Sequence, residues 1–187
     1  MTSSDCGSRQ RSKRSARATP VTRLAKTCSV GVIMVRLSDL TPEDAEHLLA
    51  KDCPRFATEP FVTGPPLRER RVAIVTTAGL HLAGHATFEL RDTSYRVIPG
   101  GTPSDRITMS HSSVNFDRSG FQQDINIVFP IDRLCELAEA GEIGTVADFH
   151  YSLMGAGWEP HEIADTAHQI AGLLKEDEVN AALLVPV

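Results

Sequence analysis

A chain of 187 residues with 41% apolar and 23% charged residues is long enough for a substantial core and ordinary enough in composition to be globular. No apolar run approaches the ~18–20 residues of a membrane-spanning helix, so a cytoplasmic protein with no membrane partner is expected. The formal charge of −5 averages two unlike parts: residues 1–33 hold seven basic residues and one acid, whereas the rest holds 12 basic against 23 acidic residues. An acidic body excludes the basic stripe of a nucleic-acid binder.

The first 33 residues show no usable period and stand outside the expected fold. Three readings compete for them: an Arg- and Ser-rich transit peptide, a disordered arm, or translated upstream sequence with the true start at Met34. The last is favoured, because Met34 leads directly into orderly sequence. Residues 34–187 are then expected to form one α/β domain.

Thr41-Pro42-Glu43-Asp44 predicts a helix start, with Thr41 as N-cap, Pro42 in the first turn and Ala45, Leu48 and Leu49 on the apolar face. Asp52-Cys53-Pro54 ends it, and a Pro- and Gly-rich loop runs to Pro66. Residues 71–79 form the clearest strand, β-branched, apolar and closed by Gly79. His81 and His85 follow in a predicted loop. Further strands are predicted at Tyr95–Ile98, stopped by Pro99-Gly100-Gly101, and at Arg106–Ser110. Ile125–Phe129 reads as strand or apolar loop.

Ile131, Leu134, Leu137 and Ala138 share one helical face, ended by Gly141. Glu159-Pro160-His161 predicts another helix start, with Ile163, Ala167, Ile170, Ala171 and Leu174 at helical spacing. Ala181–Val187 is a final apolar strand. Alternation of strands and helices predicts an α/β fold with a mainly parallel sheet and flanking helices. The final strand is left uncovered. Sites in such sheets gather at the carboxyl ends of strands, which directs attention to residues 76–85, residues 110–124 and the exit from Val187.

The chemistry-bearing residues are few. His81 and His85 have a metal-like spacing only if they share a helical face, and Gly79 and Gly84 argue for a loop, so no metal site is expected. Ser110-His111-Ser112-Ser113 with Asp117 and Asp124 offers imidazole, hydroxyls and carboxylates after a strand. That stretch can orient a substrate or move a proton, or it can be a capped polar turn. His150 and Tyr151 can be acid/base groups or packed rings. Gly155-Ala156-Gly157 hints weakly at a dinucleotide loop. Four cysteines without a CxxC pair predict neither a zinc site nor a disulfide framework, and Cys135 reads as a small buried thiol.

The segments Tyr95-Arg96-Val97-Ile98-Pro99-Gly100, Ser110-His111, Asp124 to Leu134, Gly141-Glu142-Ile143-Gly144 and His150 to Gly155 occur in collinear order. In this they resemble the glycine/sarcosine/betaine/D-proline reductase selenoprotein B family, in its short-chain branch. The resemblance runs from about Met34 to Val187. It implies an oxidoreductase that cleaves a C–N bond of a small amine reductively, coupled to a disulfide acceptor. It also implies a selenocysteine or cysteine directly after a strand like Leu183–Val187, with a second cysteine nearby. An opal codon read as stop would place that residue beyond Val187, and this chain alone would be inactive.

On that reading His111 and Asp117 are expected to be polar substrate-side catalytic groups, with His150 and Tyr151 as acid/base support, although Ser112 to Asp117 departs from the family's aromatic-rich pattern. Ser110, Asp124 and Asn126 are substrate-binding residues. No cofactor is expected within the chain itself. Partners implied are reductase subunits and a thioredoxin-like donor. The competing reading is a non-catalytic α/β binding or accessory subunit that truly ends at Val187.

Overall fold

A computed structural model describes residues 36–50, 55, 57, 61–113 and 118–187. The proposed leader, Met34 and Asp117 therefore lie outside the described residues, as do Cys6, Cys28 and Cys53. The described residues fall into two compact units, one reaching to Arg55 and the other from there to Val187.

The smaller unit contains a 3₁₀ turn, Leu37–Asp39, and helix α1, Pro42–Leu49. Thr41 caps α1 as its sequence predicts: the Asp44 N–H donates to Thr41 Oγ1 at 3.2 Å, and the hydroxyl donates back to the Asp44 carboxylate at 2.8 Å.

The larger unit is built on strand β1, Arg71–Thr76. Along one edge β1 pairs in parallel with β7, Ala181–Val185, from Val72↔Ala181 to Thr76↔Val185. Its other edge is shared by two short parallel partners. β5, Thr145–Val146, lies beside Arg71 and Val72, and β6, Phe149–Leu153, lies beside Val75 and Thr76. β6 carries β3, Tyr95–Pro99, antiparallel on its far side. The sheet is therefore mixed but mainly parallel. A two-stranded antiparallel ribbon, β2 (Leu80–Leu82) with β4 (Ile107–Met109), leaves the carboxyl end of β1.

Side-chain alternation on β1 divides the core between the two faces. Val72 and Ile74 pack with Phe129, Val128, Ile98 and Leu80 and with Ile131 and Leu134 of helix α3, Ile131–Glu139. Val75 lies with Tyr151, Leu153 and Tyr95 against Ile170, Leu173 and Leu174 of helix α4, Ala164–Glu176. Full burial of a side chain such as Ile74 or Phe129 contributes about 1.5–3 kcal/mol, so these two clusters hold the layers together. Gly141, at φ 72°, terminates α3, and the Glu142 N–H closes back on the Leu137 carbonyl at 2.9 Å.

Several predicted elements shift. Of the two readings of 125–129, strand or apolar loop, the non-strand one holds: residues 125–127 form a 3₁₀ turn, because the Asp124 side chain accepts from the Asn126 N–H and favours a local turn over extension. His81 lies in strand β2 and not in a loop. The last helix starts at Ala164, after a turn at 159–163 in which the Glu162 carboxylate folds back onto the Glu159 N–H at 2.7 Å. The α/β architecture itself is as the sequence predicts.

β6 was invisible to the pattern because both its faces are buried and one of them is polar. His150 and Ser152 point into the α3 side of the core and serve the backbone: Ile74 N–H donates to His150 Nδ1 at 3.0 Å, and Leu80 N–H to Ser152 Oγ at 2.7 Å. His150 thereby fills the gap in the ladder where β5 gives way to β6. The amino end of the sheet is tied by Arg71. Its guanidinium pairs with Asp177 and reaches Asp148 at 3.1 Å, while Nε donates to the Asp177 carbonyl at 2.7 Å.

Candidate functional site

At the opposite end of the sheet, the carboxyl ends of β1, β6 and β7 converge with the exit from β4. Thr77 follows β1 and holds Val187, two residues beyond β7: the Val187 N–H donates to Thr77 Oγ1 at 2.8 Å, and the hydroxyl faces the Val187 carbonyl at 3.3 Å. Gly155, two residues beyond β6, lies so close that a Cβ there would stand 2.7 Å from the Thr77 carbonyl and 2.9 Å from His111 Nε2, and closer still to the Val187 carbonyl. Only glycine permits that approach.

His111 enters from β4 and is buried. Gly79, at φ 65°, leaves room for it, because a Cβ at 79 would meet the His111 backbone nitrogen at 3.0 Å. The Ser113 N–H donates to His111 Nδ1 at 3.2 Å, which assigns the ring proton to Nε2, on the side of Val187 and Gly155. Burial lowers the His111 pKa, the Val187 backbone acts in the opposite direction, and the Arg118 charge lowers it further. The ring is thus neutral at physiological pH and presents an N–H toward the strand ends. The Arg118 guanidinium donates to the His111 carbonyl. Ser112 Oγ donates to Met154 Sδ at 3.4 Å, and the Trp158 indole N–H donates to the Met154 carbonyl, closing the floor beneath Gly155.

The other sequence-selected residues are dispersed. Ser110 is next to His111 but is occupied by the fold: its hydroxyl accepts from the Phe88 N–H at 2.8 Å, and its own N–H donates to the Gly79 carbonyl. Asp117 lies outside the described residues. Asp124 and Asn126 bond to each other, Asn126 reaches Asp132 at 3.0 Å, and the Asp132 N–H donates back to Asn126 Oδ1 at 3.1 Å. The Asn126 backbone N–H, and after it the Asn126 side-chain amide, hold Asp124 below its ordinary carboxylate pKa, and the Asn126–Asp132 bonds link the 3₁₀ turn to α3. The same residues line an open cavity of about 380 Å³ with Ser104, Asp105 and Phe121.

His150 and Tyr151 are neighbours in β6 and face opposite sides of the sheet. His150 rests edge-on to Phe129 at 5.4 Å, and its pKa is pushed down to about 4, chiefly by burial. Tyr151 packs edge-on to Tyr95 at 6.0 Å beside α4, and burial raises its pKa. Gly155-Ala156-Gly157 follows strand β6 directly. His81 is buried and its Nδ1 lies 3.1 Å from the Leu82 carbonyl, whereas His85 is exposed. No group of three or more His, Cys, Asp or Glu among the described residues could hold a metal ion. Cys135 is half-buried and disulfide-bonded, where the sequence reading expected a thiol. No helix among the described residues is long and apolar enough to cross a membrane.

Thr77 lies in the stretch 76–85 and Gly155 in the glycine loop noted from sequence, but neither was named as a site residue. Their signal, a hydroxyl and a glycine just after apolar strands, is legible only once both strands are known to end side by side.

The carboxyl ends of the parallel strands thus bring together a neutral imidazole, a hydroxyl and a close-approach glycine. The family model described as glycine/sarcosine/betaine reductase selenoprotein B matches residues 94–187, which include His111, Gly155 and Val187, and the chain belongs to that family. It is 36% identical over 133 residues to the D-proline reductase subunit gamma of Acetoanaerobium sticklandii, covering 66% of this chain and 54% of that subunit. It is 32% identical over 69 residues to the betaine reductase complex component B subunit beta of Peptoclostridium acidaminophilum, covering 37% of this chain and 16% of that subunit. The chain thus spans about half the length of the first relative and much less of the second. No solved structure matches it.

Proposed function

We propose that the chain supplies the substrate-side domain of a selenoprotein B-type oxidoreductase. Its reaction is reductive cleavage of a C–N bond in a small amine or amino-acid derivative. Two electrons and two protons come from a thiol-level redox residue placed directly after Val187 and its resolving cysteine, which end joined to each other. The C–N bond breaks, the carbon gains C–H with the electron pair and one proton, and the departing amine takes up the other proton. His111, neutral, N–H bearing and directed at the strand ends, is suited to hold the substrate by a hydrogen bond there, while the protons come from the thiol-level pair itself. A thioredoxin-like protein then reduces the joined pair, and further reductase subunits complete the assembly, consistent with the relatives being subunits by name.

The observation that carries this reading is the convergence of Thr77, His111 and Gly155 on the backbone of Val187. A chalcogen residue next in line would leave the sheet where α/β proteins place their chemistry. The test is the codon after Val187 together with the mass and selenium content of the native polypeptide. A UGA codon with an in-frame continuation, or a cysteine codon, and an alkylatable residue at that position is expected. A UAA or UAG codon with a native polypeptide ending at Val187 would overturn the proposal in favour of a binding or accessory subunit.

A further inference from the structure

The ladder between β1 and β7 changes character at its last rung. The Thr77 N–H donates to the Val185 carbonyl at 3.1 Å, as in an ordinary parallel ladder. The next bond in that pattern would run from the Val187 N–H to the Thr77 backbone carbonyl. Instead the Val187 N–H goes to the Thr77 side-chain hydroxyl at 2.8 Å, and the same hydroxyl faces the Val187 carbonyl at 3.3 Å. The Thr77 carbonyl is turned toward Gly155, where only the absence of a side chain leaves room for it. β1 bends away here, through Gly79 at φ 65° and the isolated bridge Ala78↔Met154, while β7 stays attached by one side chain.

We propose that Thr77 is a positioning residue: its hydroxyl, with Gly155 as the surface it closes on, clamps the Val187 peptide and sets the direction in which the following residue is presented to His111. A single hydroxyl that engages both the N–H and the carbonyl of one residue fixes the orientation of that residue at its two ends, which a ladder bond to one group does not. Gly155 makes the clamp rigid, because the Val187 carbonyl, the Thr77 carbonyl and His111 Nε2 all close on its missing Cβ. The catalytic meaning of the clamp rests on the redox residue proposed above. The clamp itself rests only on residues already in the chain.

The experiment uses the native polypeptide, with whatever follows Val187, as wild type, Thr77→Val and Thr77→Ser. Valine keeps the branched shape and removes both bonds, and serine restores the hydroxyl. Hydrogen–deuterium exchange at the Val187 amide should accelerate about tenfold or more in Thr77→Val and return toward wild type in Thr77→Ser. The pH profile of alkylation at the residue after Val187 should shift in Thr77→Val, and kcat should fall with KM little changed.

Unchanged exchange at Val187 in Thr77→Val would overturn the clamp. Faster exchange with an unaltered alkylation profile and kcat would overturn its positioning role. Faster exchange with no alkylatable residue after Val187 would uphold the clamp and instead remove the redox reading. Should Thr77→Val fail to fold, Gly155→Ala tests the same clamp from its other side, with faster Val187 exchange expected and unchanged exchange refuting it.

Discussion

His150 shows how a catalytic-looking residue can be consumed by the fold. Its Nδ1 accepts the Ile74 N–H, so the folded state requires the neutral ring, and burial pushes its pKa down to about 4. Unfolded, the ring titrates near 6.5. Between those values the unfolded chain binds the extra proton, so the stabilisation is complete above about pH 6.5 and is lost as pH falls toward 4. Its size is roughly 3 kcal/mol. Urea unfolding at pH 7.5 and pH 4.5 should therefore show a larger loss in wild type than in His150→Gln, which has no titrating ring; equal losses would refute the assignment. His111 was marked in the sequence because it sits in a dense polar stretch after a strand. Thr77 was not, because the partner that gives its hydroxyl meaning lies 110 residues away in the chain. Gly155→Ala should cost about 1–3 kcal/mol in denaturant unfolding, since backbone and not a flexible side chain blocks the new methyl group. A loss of a few tenths would mean that the strand ends part readily to admit the methyl group.

Among the elements, α1 and α3 were legible because an end cap or an end glycine coincides with an apolar stripe. β6 was not, because the period-2 signal assumes that the polar face is wet, and here it is dry. The junction of β5 and β6 is also held from the amino end, where the Asp177 carboxylate accepts from the Asp148 N–H at 3.0 Å and the Phe149 N–H at 3.3 Å while it pairs with Arg71. One carboxylate thereby joins β1, β6 and the end of α4. Asp177→Asn keeps the shape and removes the charge, and should lower stability by about 1–3 kcal/mol, read as a reduced urea midpoint. It should leave hydrogen exchange at Val187, at the far end of the sheet, little changed. A large effect at Val187 would mean that the two ends of the sheet do not behave independently. Arg96 has a comparable role on β3: it stacks 4.2 Å over Phe88 and donates to the carbonyls of Ala86 and Thr87, fastening the 83–94 connection to the sheet.

At the scale of the molecule, the parallel sheet followed from alternating element types, whereas the antiparallel β3 edge and the β2–β4 ribbon did not. Both depend on pairings between segments far apart in sequence, which local periodicity does not encode. β7 pairs with β1 alone among the described strands, and Leu184 is 67% exposed with Leu183 at 38%. An apolar parallel edge of this kind is a template for association. Light scattering of the 187-residue chain should show concentration-dependent self-association that Leu184→Lys reduces without altering the circular dichroism spectrum. Equal scattering by the two proteins would remove β7 as the cause.

The chain contains one tryptophan, and the fold has placed it against the carbonyl immediately before Gly155. The molecule consequently carries its own optical reporter at the strand ends. Its emission needs no attached dye and no correction for a second indole, so a change in wavelength or quenching reads events in that one crevice directly. Arrival of a small molecule would be visible in the intrinsic fluorescence of these 187 residues.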